Sequence, residues 1–303
     1  MRVLDAAGVT AALPMSVAID AVRAALRGGL DPAADPARGV VSLDHGHLLV
    51  MPAQWGRFAG IKVASVAPDN PAAGLPRIQG AYLLLDGATL TPVAVLDATP
   101  LTAIRTAAVS AVAADVLAEP DAATLLVFGS GPQAHSHVTA LREVRPIRRI
   151  VVVGRDRSRA EAFAAWCGGV VGSVDDVASA DLVACCTTAR TPILDGTLIA
   201  PHATVIAVGS HEPDAAEVDA TTVARCIVVV EAESAARREA GDIVQAGPTD
   251  LVKLADVVRG TVEVPMTAPR LFKSVGMAWE DLVLAATADE RAVTFPGAVP
   301  SSD

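Results

Sequence analysis

The sequence predicts an α/β chain, a doubly wound parallel sheet joined to a second, β-rich α+β domain. Three observations predict it. A unit of strand, glycine turn, helix and strand runs from Thr124 to Asp156. Apolar strands and short helical segments alternate after it. Before it, strand-like runs follow one another with no helix between them, a pattern that does not read as parallel.

Taken in order, Pro14–Arg27 spaces Val17, Ala21, Ala24 and Ala25 as a helix does and stops at Gly28-Gly29, a C-terminal signal. Leu30–Arg38 is a Pro/Asp/Ala loop. The strand-like runs are Val40–Leu43, His47–Met51, Gly60–Val66, Ala81–Leu85 and Pro92–Leu96, with a hairpin at Asp86-Gly87 between the last two. Thr99–Leu117 is an Ala-rich helix that begins near Thr102, ends before Pro120 and leads from one domain into the other.

Leu125–Phe128 then ends at Gly129-Ser130-Gly131-Pro132-Gln133-Ala134, the G-x-G-x-x-A form of the dinucleotide fingerprint. Gly129 permits the tight turn, Gly131 lets the backbone approach a pyrophosphate, and Ala134 lets the helix pack on the strand. Pro132 suits the first helical turn, where its missing N–H costs nothing. The helix N-terminus offers N–H groups and a positive dipole end to phosphates. An ordinary βα turn shares these glycines; the second strand, Ile150–Val153, stands where a βαβ unit needs it and favours a Rossmann-type nucleotide site.

Farther on, Ser158-Arg159-Ala160-Glu161 reads as a capping box opening a helix to about Cys167. Val170-Val171, Leu182–Cys186, Val205–Val208 and Ile227–Val230 read as buried strands, and Ser173–Ala178, Val218–Ala224 and Ala232–Glu239 as helical. Leu251–Val258 and Trp279–Glu290 are the last helices, and the tail Phe295–Asp303 reads as loose.

A formal charge of −10 argues against nucleic acid or an anionic membrane as partner. No run of 18 uncharged apolar residues predicts a membrane span, and the N-terminus lacks a signal-peptide pattern, so a cytoplasmic location is expected. Cys167, Cys185, Cys186 and Cys226 have no metal-ligand spacing and read as small buried thiols; no metal is expected.

Against this background, three lone cations stand out. Lys62 lies within a strand-like run, Arg105 in the first turns of a small, apolar helix, and Arg38 at the end of the loop. A solvated edge or a structural ion pair is the ordinary reading of each. Three such cations are also what fixes a substrate carboxylate, with arginine as bidentate clamp.

From Arg38 to Ala286 the chain resembles the ornithine cyclodeaminase/μ-crystallin family. The matching stretches are RGVVSL, VMPA, GIKVAS, LTAIRTAAVSA, VFGSGPQAHSH, AVGSHEPDAAEVD and FKSVGMAWEDL. The resemblance implies a substrate and dimerisation domain over 1–116, joined by 287–303, and a nicotinamide-binding domain over 117–286, in a homodimer. Carried over by position, Arg38, Lys62 and Arg105 hold the substrate's α-carboxylate. Gly129, Gly131, Gln133 and Ala134 form the cofactor turn, and Thr187, Val208 and Gly209 lie in segments lining the cofactor's ends. Thr106, Ser130, Pro132, Thr188, Ser210 and Gly276 complete the cofactor set.

Departures from the family pattern narrow the chemistry. Cyclodeaminases carry a Glu before the Met-Pro pair, where this chain has Leu49-Val50, and an Asp where it has His211. Losing both acids argues against cyclodeamination of ornithine or lysine. The Gly-Ser-His-x-Pro-Asp form is similar to the ketimine reductase branch, whose expected reaction is reduction of a small cyclic imine carboxylate to proline or pipecolate. His211 is either a proton source, a water-mediated contact or a loop histidine bonded to backbone. Lys62 either joins the clamp or protonates the imine nitrogen, its pKa lowered by its cationic neighbours. Two readings stand beside this one: an alanine-type amino-acid dehydrogenase, and a non-catalytic NADPH-dependent binding protein.

Gly154, Arg155, Asp156 and Arg159 end the second strand where an acid would favour NAD(H). Arg155 suits a 2′-phosphate and favours NADPH; Asp156, if turned to the ribose, would leave NADH possible.

Overall fold

The computed structural model describes residues 1–247 and 250–294. The chain divides into two units, Met1–Arg105 with the segment from Met277 onward, and Thr106–Gly276. The sequence placed these crossings at 116/117 and 286/287. One helix runs unbroken through the first crossing, so no linker composition marks it.

In the first unit, β1 (Arg2–Leu4) leads into α1 (Ala6–Ala12), whose first turn is capped by Asp5 accepting from the Gly8 N–H, and then α2 (Met15–Arg27). Helix α2 ends at Gly28-Gly29 as expected, but its buried stripe is Ala18, Ile19, Val22, Ala25 and Leu26. Most of the expected contact residues, Val17, Ala21 and Ala24, lie off that stripe; the bulkier Ile19, Val22 and Leu26 decide which face is covered. Strands β2 (Gly39–Leu43), β3 (Gly46–Trp55), β4 (Phe58–Val66), β5 (Ile78–Asp86) and β6 (Pro92–Asp97) form an antiparallel meander, and α3 (Ala98–Leu117) follows. The strand β1, short and partly polar, is not marked in the sequence; it pairs parallel with β6 and closes a six-stranded sheet in the order β1-β6-β5-β4-β3-β2.

The second unit contains β7 (Thr124–Phe128), α4 (Pro132–Val144), β8 (Arg149–Val153), α5 (Arg157–Cys167), β9 (Val170–Val171), β10 (Leu182–Cys185), β11 (Thr204–Ala207), α6 (Ala220–Arg225) and β12 (Ile227–Val230). It continues through α7 (Glu233–Glu239), α8 (Gly241–Ala246), β13 (Val252–Lys253), α9 (Leu254–Val258) and β14 (Arg270–Lys273). All eight strands are parallel, in the order β13-β12-β14-β11-β10-β7-β8-β9. The chain leaves β7 towards β8 and β9 on one side and returns to β10 on the other. The glycine turn after β7 thus lies at the topological switch point, where such sheets bind ligands.

Four local features differ from what the sequence pattern predicts. The N-cap of α5 is Asp156, not Ser158, because its carboxylate accepts from the Arg159 N–H at 3.1 Å and the Ser158 hydroxyl at 2.8 Å. The Leu251–Val258 segment opens as strand β13 before α9, and 174–179 is a 3₁₀ helix behind a capping box at Ser173. Strand β14 escapes an apolar-run reading because buried Arg270 and Lys273 stand at its two ends.

The last helix, α10 (Ala278–Thr294), belongs to the first unit and packs on β3, β4 and β5 and against α1 and α2. Together with α1, which packs on β6, it buries the sheet face carrying Leu49, Met51, Lys62, Tyr82, Leu84 and Leu96. On the opposite face Val41, Leu43 and Val63 are exposed. By length and composition α3 could cross a membrane, but 72% of its apolar window is buried, as in a core helix. The tail Phe295–Asp303 lies outside the described residues.

Candidate active site

In the second unit, β7 delivers the chain to Gly129, whose φ is +103° and where a Cβ would stand 2.6 Å from the Cys186 carbonyl oxygen. Only glycine fits that turn. Gly131 is the N-cap of α4; no side chain caps its first turn, and a Cβ there would meet no atom within 4 Å. Pro132 fills the first helical position and Ala134 is fully buried. An uncapped N-terminus of a 13-residue helix behind an open cradle fits a dinucleotide pyrophosphate. His137 anchors this helix with Nδ1 2.8 Å from the Gln133 carbonyl and Nε2 2.9 Å from the Ser110 hydroxyl; burial lowers its pKa to about 4, so the ring is neutral.

At the far end, Gly154 follows β8, and Arg155 and Arg159 are exposed. The Asp156 carboxylate is engaged in the α5 cap, whose N–H and hydroxyl donors lower its pKa.

Thr187 and Thr188 follow β10, and Val208, Gly209, Ser210 and His211 follow β11. One buried carboxylate ties these two loops. Glu217 accepts from the Thr187 N–H and hydroxyl, both at 2.7 Å, and from the Gly209 N–H at 2.5 Å. Its backbone N–H donates to Asp242, whose other oxygen is 2.8 Å from Lys273 Nζ; Lys273 also donates to the Ser210 carbonyl at 2.6 Å. Burial raises the Glu217 pKa to about 7, opposed by the Lys273 charge and by the donors from Thr187 and Gly209. His211 is half-buried, and Gly276 takes a left-handed φ of +71° with its N–H on Ser274.

In the first unit, Lys62 stands mid-strand in β4, opposite Tyr82 in β5 and Met51 in β3, and is 2% exposed. Its Nζ is 2.6 Å from Asp281 Oδ2 and donates to the Thr102 hydroxyl at 3.4 Å. Arg105 donates to Glu280 at 2.5 Å, and its Nε lies 3.4 Å from Asp281 Oδ1. Two expected cations therefore meet, bridged by consecutive acids in the first turn of α10. Burial lowers the Lys62 pKa to about 8; Asp281 opposes that shift and Arg105 adds to it.

Two further groups surround the cluster. Tyr82 is buried with its hydroxyl unpartnered, in space that a side chain on Gly60 would overlap. Asp35 accepts from the Trp279 N–H at 2.7 Å; burial raises its pKa to about 7, with Glu280 and Asp281 adding to the shift. A cavity of about 650 Å³ is lined by Asp35, Gln54, Gly60, Ile61 and Trp279 among others. Arg38 is half-buried, three residues beyond Asp35, and Thr106 is buried on α3. Leu49 is buried on the Lys62 face of the sheet, so no carboxylate stands where cyclodeaminases are expected to carry one.

The sequence did not single out Glu217, Asp242, Lys273, Glu280, Asp281, Tyr82 or Asp35 as site residues. The Glu280-Asp281 pair reads in sequence as ordinary helix-start acids. A signal existed in the excess of buried-type surroundings around both acids, in GMAWEDLVLAA.

A parallel sheet with a glycine turn at its switch point, joined to a β-rich unit holding buried cations, defines a dinucleotide-binding enzyme fold. The model of the ornithine cyclodeaminase/mu-crystallin family matches residues 1–294, and the chain belongs to that family. Ketimine reductase mu-crystallin of Mus musculus is 34% identical over 258 residues, 82% of each chain. Delta(1)-pyrroline-2-carboxylate reductase 2 of Burkholderia ambifaria is 36% identical over 270 residues, 84% of this chain and 83% of that one. The structure of Thermococcus litoralis Delta(1)-pyrroline-2-carboxylate reductase with NADH and L-proline superposes with a TM-score of 0.92 at 30% identity, covering all of both chains.

Proposed function

We propose that this protein is an NAD(P)H-dependent oxidoreductase that reduces cyclic ketimine carboxylates. Δ1-Pyrroline-2-carboxylate would give L-proline and Δ1-piperideine-2-carboxylate L-pipecolate. The carrying observation is the buried meeting of Lys62 with Arg105. The names of the relatives support the same reaction class.

A nicotinamide cofactor, when bound, would supply the hydride for the imine carbon. Gly129–Ala134 would hold its pyrophosphate, and the loops at Thr187-Thr188 and Val208–Ser210, with Thr106 and Gly276, would line its remainder. Arg105 and Arg38 hold the substrate carboxylate, which fixes the ring. Lys62 gives a proton to the imine nitrogen, so C=N becomes CH–NH, and Lys62 is left neutral until water recharges it. A lysine whose pKa is about 8 is charged at neutral pH yet releases its proton more readily than an exposed one. His211 is the second candidate donor, and His211→Ala in the same assay separates the two.

NADPH is the preferred cofactor. Asp156 is engaged in the α5 cap while Arg155 and Arg159 are exposed beside it. The exposed apolar face of Val41, Leu43 and Val63 supports a homodimer built through the first unit, and a cytoplasmic location accords with this chemistry.

The test is oxidation of NADPH and NADH with both imines, with pyruvate plus ammonia alongside. Imine-dependent oxidation, faster with NADPH, is expected. Lys62→Met should lose it by about 100-fold or more while still binding NADPH. Normal turnover by Lys62→Met would remove Lys62 from its role. Turnover only with pyruvate and ammonia would make the protein an amino-acid dehydrogenase. Cofactor binding without turnover of any imine would make it a ligand-binding protein.

A further inference from the structure

We propose that Asp281 is a positioning residue that keeps the Lys62 ammonium charged and aimed for proton transfer, while Glu280 aims the Arg105 guanidinium, which stays charged without help. The inference rests on the reading of Lys62 as proton donor and assigns the residues that make it one.

Glu280 and Asp281 are consecutive in the first turn of α10, so their side chains leave the helix about 100° apart. Each reaches a different cation: Glu280 the Arg105 NH1, Asp281 the Lys62 Nζ. Both acids are fully buried.

An acid at the N-cap or third position of a helix ordinarily accepts free N–H groups, whereas one a residue farther on only meets the helix dipole. Here Glu280 accepts the Met277 N–H at 2.8 Å, and Asp35 accepts that of Trp279. Asp281 accepts no helix N–H among the described residues; its Oδ2 faces Lys62 Nζ at 2.6 Å and its Oδ1 faces Arg105 Nε at 3.4 Å. A carboxylate buried without helix-capping work is held there by its two cations, and it holds them in return.

The remaining groups around Lys62 sharpen the consequence. Arg105 on α3 repels its charge and Glu280 on α10 favours it. Thr102 on α3 is neutral, and Tyr82, opposite on β5, stays protonated because burial and then Asp281 and Asp35 raise its pKa. Burial is the largest influence on Lys62 and Asp281 the largest opposing one. Without Asp281, Lys62 would lose its proton at lower pH. In each turnover the imine carbon gains hydride, the nitrogen gains the Lys62 proton, and the neutral amine recovers one from water beside a carboxylate that favours its return.

The test is the pH dependence of kcat/KM for imine reduction by the wild type, Asp281→Asn, Asp281→Glu and Glu280→Gln. The alkaline limb should move to lower pH by about one unit or more in Asp281→Asn. It should stay near its wild-type place in Asp281→Glu, which keeps the charge and loses turnover through altered reach. Glu280→Gln should chiefly raise KM, because it acts through the carboxylate clamp. An unmoved limb in folded Asp281→Asn would overturn the proposal. If Asp281→Asn does not fold, a limb in Asp281→Glu displaced as far as one unit would overturn it as well. Normal turnover by Lys62→Met is a different failure, and it would strike the donor reading itself.

Discussion

Glu217 fastens two loops with one carboxylate, and its protonation is therefore a test of how the cofactor loops are held. Ionised, it accepts three donors from Thr187 and Gly209; protonated, it gives up part of that capacity. Its pKa is raised to about 7, so the ionised form is complete above that value and is lost as pH falls through it. Cofactor binding that needs both loops in place should weaken as pH drops below about 7. Glu217→Gln replaces one acceptor oxygen by an NH₂ that faces donors, and should weaken binding by about tenfold with a flatter dependence across that range. Titration of NADPH fluorescence at a series of pH values checks both. An unchanged affinity in Glu217→Gln would mean that the loops do not need the carboxylate. Lys62 and Arg105 were legible in the sequence because a lone charge in an apolar run is conspicuous. Their partners were not, since about 175 residues separate Arg105 from Glu280 and no spacing rule connects them.

At the scale of elements, the regular alternation of strand and helix after the glycine turn was readable because each strand there is a short apolar run. Strand β14 was not, although it lies between β11 and β12 in the sheet, because Arg270 and Lys273 satisfy their charges inside the fold. Arg270 donates to the carbonyls of Leu117 and His202, bonds that only the folded chain offers. The cap of α5 shows a similar limit: two candidate caps, Asp156 and Ser158, stand two residues apart, and the nearer fit to the strand end wins. That cap separates two roles for Asp156. If it serves α5 and not the ribose, Asp156→Ala should lower the melting temperature by about two to four degrees and leave the preference between NADPH and NADH unchanged. Arg155→Ala should instead reduce the preference for NADPH. A cofactor preference that moves sharply in Asp156→Ala would return the acid to the nucleotide.

For the whole molecule, the most informative surface is the open face of the first unit's sheet. Along it Val41, Leu43 and Val63 are exposed, with Leu48, Val50 and Ile61 half-exposed on the same side of the pleat. An apolar sheet face of this kind is unfavourable in water and calls for a second surface of like character. A second copy offers the same face, and a two-fold arrangement lets each patch meet itself. Val63 lies in β4 beside Lys62, but on the other side of the sheet, so a change there tests association without altering a group assigned to proton transfer. Val63→Asp places a charge at the patch, where pairing two copies would force two like charges to lose water together. Sedimentation velocity should show the wild type as a dimer and Val63→Asp shifted towards monomer, with a melting temperature that falls and becomes dependent on protein concentration. A wild type that sediments as a monomer throughout the micromolar range would refute pairing through this face.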